Sequence, residues 1–80
     1  MLKAYIEQAM AGAVAEKMEN GRYFLKIPGF RGVWADGDDV ESAREELAEV
    51  LEEWILLALK RGVPLPVIGG YDLNKIGVLV

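Results

Sequence analysis

The sequence predicts an α+β fold: a three- to four-stranded antiparallel sheet with one long helix packed on it and a short N-terminal helix. Three observations carry this. Asn20-Gly21, a strong turn dipeptide, lies between two runs that read as strands. From about Val40 to Arg61, apolar residues recur at helical spacing. The chain has 80 residues, which suits one domain, residues 1–80, with a thin core.

Residues 2–11 form the first helix. Leu2, Tyr5, Ile6, Ala9 and Met10 follow steps of three and four, while Ala4, Ala9 and Ala11 add propensity. Gly12 stops the helix. An edge strand starting at Lys3 is the competing reading.

The hairpin and third strand span about 13–36. Residues 13–19 and 22–27 are the hairpin strands. A two-residue Asn-Gly turn, with positive φ at both central residues, sets Met18 opposite Tyr23, Glu16 opposite Leu25 and Val14 opposite Ile27. All but Glu16 are apolar, which marks this as the core face. Glu16 points to a bulge, a slipped register or a longer turn. Pro28-Gly29 ends the second strand. Gly32 precedes a short third strand, Val33-Trp34-Ala35, which Gly37 ends.

The main helix covers about 40–61. Asp38 stands three residues before Glu41 in a capping-box pattern, and Asp39 is the rival cap. Val40, Ala43, Leu47, Val50, Leu51, Trp54 and Ala58 make one apolar stripe. Lys60 and Arg61 suit the C-terminal end, Gly62 caps it and Pro64 blocks continuation. An extended tail, 63–80, follows. It contains a turn near Gly69-Gly70, and 76–80 is either a last strand or a frayed end.

Charge narrows the function. The net charge is -4, with 13 acidic and 9 basic residues, and no basic run exceeds two. Phosphate binding relies on clustered Lys and Arg, so direct nucleic-acid binding by the chain alone is disfavoured and a basic protein partner suits the sign better. No segment reaches about 18 apolar residues, so neither a membrane span nor a membrane partner is expected. The lack of cysteine fits a reducing cytoplasm. An apolar fraction of 52% in so short a chain points to a homo-oligomer, a dimer or higher.

From Tyr23 to Leu59 the pieces fall in a distinctive order. An aromatic-rich strand reaches Ile27-Pro28, and Gly32 precedes Val33-Trp34-Ala35. Gly37 leads to the acid-rich helix from Val40, which ends Glu-Trp-Ile-Leu-Leu. This order resembles the HicB-like family, the antitoxin side of HicA–HicB toxin–antitoxin pairs. Tyr5-Ile6-Glu7 looks like the leading helix of one variant. The resemblance implies a partial RNase H-like fold and neutralisation of a HicA-like mRNA-cleaving toxin. A solitary short form with no toxin is the alternative. Many members also carry a C-terminal DNA-binding motif. The 18 residues after Gly62 leave no room for one, so operator binding is not expected.

Candidate sites follow from the main helix. Glu41, Glu45, Glu49 and Glu52 fall within about a quarter turn, opposite the core stripe, and suit docking of a basic toxin. An ordinary solvated face is the plainer reading. Trp54-Ile55-Leu56-Leu57-Ala58-Leu59 cannot all face one sheet, so Trp54, Ile55, Leu56 and Leu59 are the expected oligomer interface. Alternatively, the C-terminal segment with Leu65, Val67 and Ile68 covers this end.

Chemistry is not expected. Counted from Asp36, a calcium loop would place glycine sixth and an acid twelfth, but Glu41 and Leu47 stand there, so Asp36, Asp38 and Asp39 read as capping rather than metal ligands. No Cys or His is present and Ser42 is the only serine, so no catalytic residue and no cofactor is assigned. Phe24 between Lys17 and Lys26 suggests at most a weak base-stacking patch. A charged, aggregation-resistant edge is the simpler account.

Overall fold

The computed structural model describes residues 2–73. Along the chain run α1 (Leu2–Ala11), β1 (Val14–Lys17), β2 (Tyr23–Lys26), β3 (Trp34–Gly37) and α2 (Val40–Arg61). The edge-strand alternative at Lys3 is overturned, because helical spacing lets Tyr5, Ala9 and Met10 reach the core together. The strands form one antiparallel sheet in the order β1-β2-β3. The strand or frayed end expected at 76–80 lies outside the described residues.

The hairpin register differs from the two-residue turn by one position. Ala15 faces Leu25, Glu16 faces Phe24 and Val14 faces Lys26. The cause is a three-residue loop. Gly21 N–H donates to Met18 O at 3.0 Å, and Met18 N–H donates to Arg22 O at 2.7 Å. Only glycines take positive φ among the described residues, so Asn20 cannot form the mirror-image turn, while Gly21 has φ 85. Asn20 instead accepts from Arg22 N–H through its side chain. A one-residue shift exchanges faces. Glu16, anomalous in the shorter turn, thereby moves to the outer face with Val14.

The link from β2 to β3 is two successive hydrogen-bonded turns, Ile27–Phe30 and Phe30–Val33. Each has glycine at its third position, with φ 89 at Gly29 and 78 at Gly32, as a type II turn requires. These turns aim Ile27, Phe30 and Val33 inward, all buried. β3 itself starts at Trp34 and runs on through Asp36 and Gly37, later than the expected Val33–Ala35. Gly37 is needed for contact, not for φ: a Cβ there would lie 2.8 Å from Ala43 N. The first turn of α2 thus sits directly on β3.

α2 covers β2 and β3 with Ala43, Leu47, Leu51, Ile55 and Ala58, all buried. Their steps of four and three trace one helical face. Val40 lies exposed beside this stripe, and Val50 and Trp54 are half-buried at its margin. Ile55, assigned from the sequence to an oligomer interface, is fully buried in the core instead. β1 gains no such cover, and all four of its residues are exposed.

Tyr5 ties α1 to the segment that follows α2. It is fully buried, and its hydroxyl donates to Pro66 O at 2.6 Å. Its ring meets Phe30 edge-on at 6.2 Å, and Phe30 meets Trp54 at 5.3 Å. Burial, and then the Asp72 carboxylate, push the Tyr5 phenol above its ordinary value of 10.0. The folded state therefore holds this proton more tightly than the unfolded chain does. That contribution is complete below about pH 10 and is lost as pH rises through the elevated value. Tyr5→Phe is expected to cost about 1 kcal/mol at neutral pH, and to flatten the decline of stability above pH 10. Urea titrations at several pH values test this. A variant with unchanged midpoint and an unchanged alkaline limb would show that the tether contributes nothing.

Candidate functional site

The helix start shows how the acidic residues divide their work. Asp39 is the N-cap of α2, with extended backbone, and its side chain accepts from Ser42 N–H at 2.7 Å. Asp38, the alternative cap, instead takes a hydrogen bond and ion pair from Arg22. Arg22 also lies 3.5 Å from Asp36. The reason is direction: Asp38 still belongs to the strand exit, where Arg22 lies across the sheet, and Asp39 is the residue just before the first helical turn. Asp36, Asp38 and Asp39 thus serve one arginine and one helix end, and do not converge. Among the described residues no group of three or more His, Cys, Asp or Glu is placed to hold a metal.

Glu41, Glu45, Glu49 and Glu52 are all exposed. Among the described residues none of them is ion-paired. α1 enlarges this surface. A groove of about 460 Å³ runs between the helices, floored by Ile6, Met10 and Ala48 and rimmed by Glu7, Glu41, Glu45 and Arg44. Glu7 was missed from the sequence, because only the packing of α1 on α2 brings it beside Glu41 and Glu45. Three carboxylates and one guanidinium around an apolar floor leave the groove with a negative potential.

The four residues expected at an oligomer interface separate. Ile55 is in the core, Trp54 packs on Phe30, and Leu59 is half-buried against the core. Leu56 alone of the four is well exposed, at 52%. Leu57 is exposed beside it and Val63 is exposed beside Leu57, and the sequence reading assigned neither. The segment after Gly62 returns to α1, where Pro66 O accepts from the Tyr5 hydroxyl, and buries Leu65 and Leu73, but it leaves Leu56, Leu57 and Val67 exposed.

On the sheet, Lys17 and Phe24 point to opposite faces. Lys17 shares the helix-side face with Tyr23, its ammonium 6.0 Å from that ring. Phe24 is on the outer face and contacts Trp34 instead, ring centres 5.6 Å apart. The pairing of Lys17 and Lys26 around Phe24, suggested by sequence, does not form.

The family described as UPF0150-like matches residues 4–66 of the chain. Among solved structures the chain is similar to TTHA0281 from Thermus thermophilus. The two are 36% identical, with 89% of each chain covered and a TM-score of 0.82. No curated protein matches the chain. Among the described residues no helix is long and apolar enough to cross a membrane.

The hydrogen bonds from Ser42 hold the Asp39 carboxyl below its ordinary value of 3.8. The charged cap therefore stabilises the fold above that pH, and the contribution fades as pH falls through the lowered value. Asp39→Ala is expected to lower the thermal midpoint at pH 7, with the difference from wild type shrinking below pH 3.8. Thermal melts followed by circular dichroism check this. A deficit of equal size at both pH values would mean the charge is irrelevant to the cap.

Proposed function

The chain belongs to the UPF0150-like family, and we propose that it is a non-enzymatic, antitoxin-type binding module that neutralises a HicA-like mRNA-cleaving toxin. The observation that carries this reading is the exposed glutamate face of α2 with its acid-rimmed groove against α1. A protein that cleaves mRNA must attract phosphate, and does so with clustered Lys and Arg. Carboxylates held on a rigid helix compete for those same cations. Glu41, Glu45, Glu49 and Glu52 span more than two turns of one helix, so they meet a basic surface as a preformed array. Like charges four apart cost about 0.2–0.5 kcal/mol per pair in the free helix, and a basic partner relieves that repulsion. The order of elements from Tyr23 to Leu59, with its HicB-like turn and acidic helix, supports the same reading. Because the toxin's target is mRNA, the pair would act in the cytoplasm.

A second reading is favoured by one specific feature. Leu56, Leu57 and Val63 are exposed apolar residues at the C-terminal end of α2, where Leu57 shares one shallow groove with Leu56 and another with Val63. A solitary homo-oligomer with no toxin partner would cover them.

Sedimentation of the protein, alone and with a small basic toxin encoded beside it, separates the two. The antitoxin reading expects a heavier mixed species and loss of RNA cleavage. The double variant Glu45→Lys, Glu49→Lys is expected to weaken inhibition at least tenfold, by roughly 1.4 kcal/mol or more, with unchanged helix content. RNA cleavage that continues in the presence of excess wild-type protein would refute neutralisation. For the apolar patch, Leu56→Lys is expected to convert an oligomer to monomer. A wild-type protein that sediments as a monomer would remove the homo-oligomer reading.

A further inference from the structure

The outer face of the sheet holds a second surface, unrelated to the glutamates of α2. Lys26 stands opposite Trp34 and Phe24 opposite Asp36 across β2 and β3. Phe24 and Trp34 are therefore diagonal neighbours on one face, tilted by 31° with centres 5.6 Å apart. Trp34 is 54% exposed although it is a large aromatic residue. The two turns from Ile27 to Val33 rise beside this pair and wall a groove of about 470 Å³. Lys26 and Arg31 line it, with no carboxylate among the lining residues. In a chain of net charge -4 this is a local reversal of sign. Glu16 and Asp36 share the outer face but do not line the groove, and Asp36 lies within ion-pair distance of Arg22.

An exposed tryptophan beside a half-buried phenylalanine, with two flanking cations, has a specific chemical complement: a planar ring bearing a neighbouring anion. A nucleotide base and its phosphate meet that description. Stacking tolerates every base, because each has a π-face. Scattered cations still argue against binding along a duplex, whose bases are already stacked on one another. We propose that the groove framed by Phe24, Lys26, Arg31 and Trp34 binds single-stranded nucleic acid, stacking a base on the aromatic pair while the two cations meet the adjoining phosphates.

A single-stranded oligouridylate of about eight nucleotides is the probe, titrated while tryptophan fluorescence and probe anisotropy are followed. Saturable binding is expected, together with quenching. Two phosphate contacts predict a slope of about -1.4 for log K against log salt, which Lys26→Ala reduces by about 0.7. Trp34→Ala is expected to weaken binding at least about fivefold, and Trp34→Phe to recover most of it. The Trp34 side chain is largely outside the core, so helix content should be unchanged in both. Absence of saturable binding at low salt, or equal affinity in Trp34→Ala, would overturn the proposal. So would a dimer that Trp34→Ala dissociates, since a second copy would then be what covers this face. The toxin experiment is independent of all three outcomes.

Discussion

Ala43, Leu47, Leu51, Ile55 and Ala58 press one side of α2 onto the sheet face that carries Leu25 and Ala35. Each large side chain buried this way contributes about 1.5–3 kcal/mol, a large share of the net stability of a small domain. The contact also dictates geometry. The helix lies so close to β3 that position 37 tolerates no Cβ. It covers β2 and β3 and leaves β1 bare. Everything else is arranged around this one contact: α1 packs beside α2, and the aromatic series Tyr5, Phe30 and Trp54 fills the space between α1, the double turn and the helix end.

A helix that spends one face on the core has its opposite face free. In α2 that free face is acidic for its first three turns, through Glu41, Glu45, Glu49 and Glu52, and apolar at its end, through Leu56 with Leu57 beside it. The acidic part is rigid because the core stripe behind it is. The N-cap at Asp39 fixes where it begins, and Gly62, with φ 70, fixes where it ends. Two chemically different surfaces therefore share one element: a charged array along its first three turns and exposed apolar residues at its end. The outer sheet face is chemically distinct from both, combining aromatic rings with Lys26 and Arg31.

Much of the site was legible in the sequence because helical phase alone sets it. The four glutamates share one face in any regular helix over 40–61, and they are exposed as that phase requires. The apolar end was harder. Ile55 and Leu56 are adjacent in sequence, and a small rotation of the helix decides which of them meets the sheet. Packing chose Ile55, so the exposed patch passed to Leu56, Leu57 and Val63. Glu7, Trp34 and Arg31 gave no local signal, because each belongs to its surface only through a neighbour distant in the chain.

By itself the sequence determined what depends on short-range periodicity and backbone sterics: two helices with their ends, three strands, the turns at Gly21, Gly29 and Gly32, and the acidic face of α2. These follow from steps of three and four, from the positive φ that glycine accepts, and from capping groups within a turn of the helix. Tertiary structure decided the hairpin register. Asn20-Gly21 is compatible with a two-residue or a three-residue loop, which differ little locally but place opposite faces of β1 inward. The three-residue loop is the one that forms, and it sets Ala15 opposite Leu25 on the helix side and Glu16 opposite Phe24 on the outer face. Tertiary structure also decided which acid caps the helix, which residues α1 brings to the groove, and that Phe24 pairs with Trp34. Each of these is a contact between segments whose separation in sequence carries no periodic record of their meeting.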